Sequence, residues 1–200
     1  MNRHIVLGMA LVAALAAAAP AGATGRVVAR GAHVRADGGV AAGHVAGFRG
    51  PEGAAGVHGR RTVTDGQGDA RTASAGAWRG PRGSTAARAG ETTRNADGSM
   101  QHQSGFHAHG ANGGDVTSQG SAYRNTDGTR GFDRQTDATR ANGASYAGTT
   151  TGATGQGITH TSDVTTAKGN TYNGSTTVTK DGVTHTGSCA NAAGETIPCR

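Results

Sequence analysis

A glycine-containing turn signal recurs about every fifteen residues through nearly the whole chain. The signals begin at Asp37, Pro51, Asp65, Pro81, Asp97, Asn112, Asp127, Asn142 and Gln156, in steps of 14, 14, 16, 16, 15, 15, 15 and 14. A fixed period this short marks a repeat architecture, in which each unit is a small piece of supersecondary structure held by its neighbours. Two beats make a longer unit. Phe48-Arg49-Gly50-Pro51-Glu52-Gly53 returns thirty residues on as Trp78-Arg79-Gly80-Pro81-Arg82-Gly83. Arg94-Asn95-Ala96-Asp97-Gly98-Ser99 likewise returns, thirty residues on, as Arg124-Asn125-Thr126-Asp127-Gly128-Thr129. A hairpin of two strands per thirty residues accounts for both.

Asn-Gly and Asp-Gly are preferred centres of two-residue type I′ hairpin turns, because both positions take positive φ. On that reading Asp181-Gly182 sets Lys180 opposite Val183, Thr179 opposite Thr184, Val178 opposite His185 and Thr177 opposite Thr186. The threonines then share one face, with Val178, Val183, Lys180 and His185 on the other. The same counting around Asp127-Gly128 sets Tyr123 opposite Phe132, a cross-strand aromatic pair. A two-residue turn every fifteen leaves strands of about 13 residues, against a usual five or six. Internal glycines such as Gly105, Gly110, Gly120 and Gly148 would break or bulge them. A β-solenoid, bending each coil at corners, avoids that length.

The second constraint is the shortage of material for a core. All three leucines (Leu7, Leu11, Leu15) precede residue 23, and after it Leu, Ile, Val and Phe together number 16 of 177 residues. That lies well below the roughly 20% under which chains tend to disorder. A two-layer domain with a packed interior is excluded, leaving a flexible chain or a repeat held by backbone hydrogen bonds and small side chains. The fold expected is all-β: a repetitive antiparallel β-meander or β-solenoid of about 15-residue units, low in complexity and partly disordered, above all in the N-terminal half. Gly and Thr are poor helix formers, so no helix is expected after the first segment.

Three segments follow. Residues 1–23 read as a secretory signal peptide: Arg3 and His4, an apolar stretch from Ile5 to Ala19, and the cleavage pattern Ala21-Gly22-Ala23. The apolar stretch is shorter than the ~20 residues of a spanning helix. The expectation is an exported protein, periplasmic or extracellular, with no membrane span after cleavage. Residues 24–94 form a basic Gly/Ala/Arg-rich segment with eleven Arg against five acids. Residues 95–200 form a Thr/Gly-rich β-repeat region with seven Lys and Arg against eight acids. The basic segment suits an anionic polymer bound by counterion release, such as an anionic glycan, lipopolysaccharide or extracellular DNA. Cys189 and Cys199 are the only cysteines, and in an exported chain this pair predicts a disulfide closing the C-terminal unit, loop 189–199.

Motifs of chemistry are weak. His102, His107 and His109 form the one histidine cluster, and an H-x-H pair can ligate Zn²⁺ or Cu²⁺. A third ligand would have to be Asp115 or His102. With Asn112-Gly113 as the loop, however, His109 faces Val116 and His107 faces Ser118, so no metal is expected. T-x-T occurs at 149–151, 159–161, 177–179 and 184–186. Ranks of T-x-T on a regular β-scaffold resemble the ice-binding faces of insect-type antifreeze solenoids. Here the motifs start 10, 18 and 7 residues apart, not once per coil. Ser74 lacks the first glycine of G-x-S-x-G, and Gly66-Gln67-Gly68 and Gly155-Gln156-Gly157 lack the third glycine of a dinucleotide loop. Gly113-Gly114-Asp115 is only a fragment of a calcium repeat. Asp133 and Asp137 lack the apolar walls of a pocket.

The sequence thus implies a non-enzymatic, cofactor-free structural or interaction protein of a bacterial envelope or extracellular matrix. The alternative is an anionic-polymer-binding module acting through residues 26–94, and ice binding through T-x-T faces is a less favoured third reading. Exposed strand edges would favour self-association.

Overall fold

The computed structural model describes residues 24–199; the signal-peptide reading of residues 1–23 lies outside them. The chain forms one open antiparallel meander in which spatial order equals sequence order. Strands β1 (Gly25–Val34), β2 (Val40–Arg49), β3 (Ala55–Thr64), β4 (Ala70–Arg79), β5 (Thr85–Arg94), β6 (Met100–His109), β7 (Asp115–Arg124) and β8 (Arg130–Thr139) each have ten residues. Strands β9 (Ser145–Ala153), β10 (Gly157–Thr165), β11 (Thr171–Thr179) and β12 (Gly182–Ala190) have nine, and β13 (Thr196–Ile197) covers the end of β12. From β1 to β8 each fifteen-residue beat is therefore ten residues of strand and five of connection. The sheet passes through the composition change at residue 94 without a break, since β5 pairs with β6 over its full length. No helix among the described residues is long and apolar enough to cross a membrane.

The connections correct the type I′ expectation. At Asn95–Ser99 the Gly98 N–H donates to the Asn95 carbonyl (2.9 Å) and the Asn95 N–H to the Ser99 carbonyl (3.0 Å). Gly98 has φ +85°, whereas Glu52 is the sole non-glycine with positive φ among the described residues, so Asp97 is not left-handed. This is a three-residue loop: a type I turn followed by a left-handed glycine. The Asp97 carboxylate caps it by accepting the Ser99 N–H at 2.8 Å. Asn125–Thr129 repeats the arrangement bond for bond. Neighbouring turns on one edge also touch, the Ala96 N–H donating to Asp69 Oδ1 at 2.7 Å.

A three-residue loop moves the register by one relative to a two-residue loop, which exchanges faces. Tyr123 therefore lies opposite Gly131, and Phe132 opposite Ala122 and Gly152; the expected Tyr123–Phe132 pair does not form. Each ring instead covers a cross-strand glycine. A Cβ on Gly131 would sit 2.7 Å from the Tyr123 ring, and one on Gly152 would sit 2.6 Å from Phe132. At the last long hairpin the loop is Lys180-Asp181, so Val178 faces Val183 and Thr177 faces Thr184. That is a slip of two from the expected register, which keeps the threonine face and the valine face as expected.

The sheet is a single layer. Its buried apolar residues are Ala41, Ala46 and Ala86, and no large side chain is fully buried. Backbone ladders, cross-strand pairs and the rings over glycines hold it together.

Candidate polyanion-binding face

The register fixes which side chains share a face. From β1 to β11 every pairing joins even to even and odd to odd residue numbers. The odd residues of β12 then join the even face, because the Lys180-Asp181 loop is one residue shorter. The strand carboxylates divide along this line completely and the arginines unevenly, Arg49, Arg61, Arg71 and Arg79 lying on the odd face. The even face carries Arg26 and Arg30 on β1, Arg60 on β3, Arg88 and Arg94 on β5, Arg124 on β7, and Arg130 and Arg134 on β8. All eight are exposed. Every carboxylate of the strands, Glu91, Asp115, Asp133, Asp137 and Asp163, lies on the odd face.

None of the eight arginines forms an ion pair with a carboxylate among the described residues; the Arg71–Glu91 pair (2.6 Å) belongs to the odd face. Arg124 and Arg130 lie directly opposite each other across the β7–β8 ladder. Like charges so placed destabilise a sheet. Arg134 Nη1 donates to the buried Ser118 hydroxyl at 2.8 Å, which anchors its stem.

Between β2 and β8 the even face is concave, a trough of 620 Å³ lined by His44, His58, Arg60, Arg88, His102 and Arg134. It crosses seven strands, about 29 Å along the sheet at ~4.8 Å per strand. Aromatic rings stand in the same face: Phe48, Trp78, Phe106 and Phe132, then Tyr146 and Tyr172 towards the C-terminus. Tyr123 is the one aromatic residue of the odd face. Three histidines of the even face accept or donate through Nδ1 to a cross-strand threonine at 2.8 Å: Thr92–His102, Thr150–His160 and Thr176–His185.

The histidine cluster divides. His102 lies on the even face, so it cannot join His107 and His109 on the odd face. Contrary to the expected register, His109 faces Asp115 and His107 faces Thr117. Asp115 Oδ1 stands 3.0 Å from His109 Nδ1 and 3.5 Å from His107 Nε2. Its hydrogen bond with His109 holds the Asp115 carboxyl below the ordinary carboxylate value, against some desolvation, and the charges of His109 and His107 add to this. No group of three candidate ligands poised for a metal occurs among the described residues.

The T-x-T motifs converge. Antiparallel pairing places Thr149, Thr161, Ser175 and Thr186 in one rank of the odd face, and Thr151, Thr159, Thr177 and Thr184 in the next. Their uneven sequence spacing is what reversal of direction at each hairpin produces; a once-per-coil criterion does not apply to a meander. Ser74 faces the trough beside Arg60, while Asp133 and Asp137 lie on the odd face, Asp133 bonded to the Ser121 hydroxyl. Gly66-Gln67-Gly68 sits in a hairpin connection, and Gly155-Gln156-Gly157 runs from one into the first residue of β10. Cys189 and Cys199 are paired as a disulfide, with Cα atoms 5.4 Å apart. The charge segregation escaped a reading by segment averages, although residue-number parity alone carries it once the connections are five residues long.

Comparison with protein-family models, with curated proteins and with solved structures finds no match to this chain.

Proposed function

We propose that this is a non-enzymatic interaction protein, exported to an oxidising compartment, whose even face holds an extended anionic polymer. One observation carries the reading: eight exposed arginines and no strand carboxylate on one face, with every strand carboxylate on the other. Confinement of the strand carboxylates to the odd face leaves repulsion across the Arg124–Arg130 pair without a compensating strand acid, which a bound polyanion would relieve. The face extends the expected module of residues 26–94 as far as Arg134, because the sheet brings β7 and β8 beside the N-terminal strands. A curved trough with charge on several strands suits a linear chain crossing the strands better than a compact ligand.

The test is a titration of the full chain with inorganic polyphosphate at several salt concentrations. Log affinity should fall linearly with log salt, as counterions are released from the polymer. Binding indifferent to salt, or none at low salt, would overturn the reading.

The two threonine ranks favour a second reading on the opposite face, ordered-water or ice binding. Neighbouring hydroxyls repeat at about 4.8 Å across strands and about 6.7 Å along them. The eight residues of the two ranks carry no charge. Ice grown in the presence of the protein would be faceted, and Thr151→Lys with Thr177→Lys would abolish the faceting; unshaped ice with the native chain would remove this reading.

A further inference from the structure

We infer that the polymer held by the even face is a single-stranded nucleic acid; this rests on the polyanion reading and names its ligand. The observation is the alternation of rings and guanidinium groups from strand to strand across the even face. Rings occur on every second strand, Phe48 on β2, Trp78 on β4, Phe106 on β6 and Phe132 on β8. Arginines of this face occupy the strands between, on β1, β3, β5 and β7, with two more on β8. Phe48 and Trp78 share one row, two strand spacings or about 9.5 Å apart, while Phe106 and Phe132 stand in other rows.

The pairing is closer still. Arg26 lies directly opposite Phe48, and Arg88 directly opposite Phe106. Phe132 stands between Arg130 and Arg134 on its own strand. Trp78 has Gly56 and Ala86 as row neighbours, with the Phe48 ring lying over Gly56. Phe48, Trp78 and Phe132 remain 52%, 43% and 39% exposed, which leaves their ring faces available. The Trp78 and Phe106 rings stand 6.1 Å apart, tilted by 37°.

A ligand matched to this pattern carries a negative charge and a flat π-system in each repeat, held a few ångströms apart. A nucleotide has that construction: its phosphate meets a guanidinium and its base lies on a ring. An anionic glycan carries its charge on the same ring that would have to lie against an aromatic side chain. A duplex hides its base faces and offers phosphates alone. The single strand is the chemistry that uses both halves of the pattern.

Trp78 is the only tryptophan and its ring stands 6.1 Å from Phe106, which lines the trough, so its emission reports on the even face there. The experiment titrates the full chain with oligothymidylate, with a duplex of equal charge, with polyphosphate and with a sulfated glycan. Oligothymidylate should quench Trp78 and bind at least roughly fivefold tighter than polyphosphate, the gain expected from stacking even one base. Phe106→Leu and Phe132→Leu keep an apolar cover on the sheet but remove the π-face. Each should cost oligothymidylate binding roughly fivefold or more and leave polyphosphate binding unchanged. Tyr123→Leu, on the odd face, should change neither. Equal binding of all polyanions with unchanged Trp78 emission, or tighter binding of the glycan, would overturn the nucleic-acid inference while the polyanion reading stood. Binding of none would overturn both.

Discussion

Replacing Gly98 with alanine isolates the backbone geometry of one turn. Gly98 has φ +85°, and a Cβ built on it meets nothing within 4 Å, so sterics beyond the residue itself contribute nothing. The cost is then that of holding an L-residue in the left-handed region, about 1–2 kcal/mol. Alanine also restricts the unfolded chain, which offsets about 0.4–1 kcal/mol. The net is a destabilisation of about 1 kcal/mol, and Gly98→Asn should cost less because asparagine tolerates that region. In a single layer without a shared core such a loss stays local, so the assay is amide hydrogen exchange. Protection of the Asn95 N–H, which donates to the Ser99 carbonyl across the turn, should drop roughly fivefold. Thr126→Pro should raise protection in the equivalent hairpin: Thr126 is the first central residue of its type I turn, where proline fits, and Pro81 already holds that position in its own loop. A neutral or stabilising Gly98→Ala, or a Thr126→Pro that opens its hairpin, would refute the three-residue loop and the register built on it.

Other outcomes follow from the same geometry. Hydrogen bonds from Ser99 and Thr129 hold the Asp97 and Asp127 carboxyls below the ordinary value of ~3.9. Groups depressed in the folded state stabilise fully above that value, so strand circular dichroism should hold from pH 7 to about 4 and weaken below; a transition near neutrality would contradict this. Reducing Cys189–Cys199 should free β13 and cost at most about 3 kcal/mol on the loop-closure estimate. Exchange should quicken at the Cys189–Ile197 and Ala190–Thr196 pairs and leave β1 to β8 unchanged; loss of the whole sheet would show that the C-terminal staple acts globally. Strand β1 is exposed along its length and has no partner on its outer edge among the described residues, with Val27 69% exposed. Sedimentation should therefore show concentration-dependent self-association that Val27→Lys weakens, and a strictly monomeric chain across a wide range would remove this idea.

The all-β repeat and its fifteen-residue beat were legible because turn chemistry is local: glycine marks the left-handed position wherever the chain must reverse. What Asp-Gly does not reveal is which side of the glycine the strand resumes. Reading Asp127-Gly128 as both centres of a two-residue turn moved Tyr123 from Gly131 to Phe132, and the same slip moved His109 from Asp115 to Val116. At Lys180-Asp181 the slip was two, and the faces survived it. The candidate site was harder to see. Arg60 and Arg61 are neighbours in sequence and belong to opposite faces, so a count over residues 24–94 adds together charges that never act on one ligand. The T-x-T ranks were obscured for a related reason, because antiparallel reversal turns even ranks into uneven spacing.

That adjacency supplies the most direct measurement. Arg60→Gln with Arg88→Gln, and Arg61→Gln with Arg79→Gln, remove equal charge from the same stretch of sequence but from opposite faces. Polyphosphate affinity of the two double variants would be measured from low to high salt. Loss of affinity in the even-face variant, with its log–log salt slope reduced by roughly 1.5, and native behaviour in the odd-face variant is the outcome a one-faced polyanion scaffold requires. Equal losses in both would mean that net charge alone attracts the polymer, and that the segregation of the faces has no part in binding.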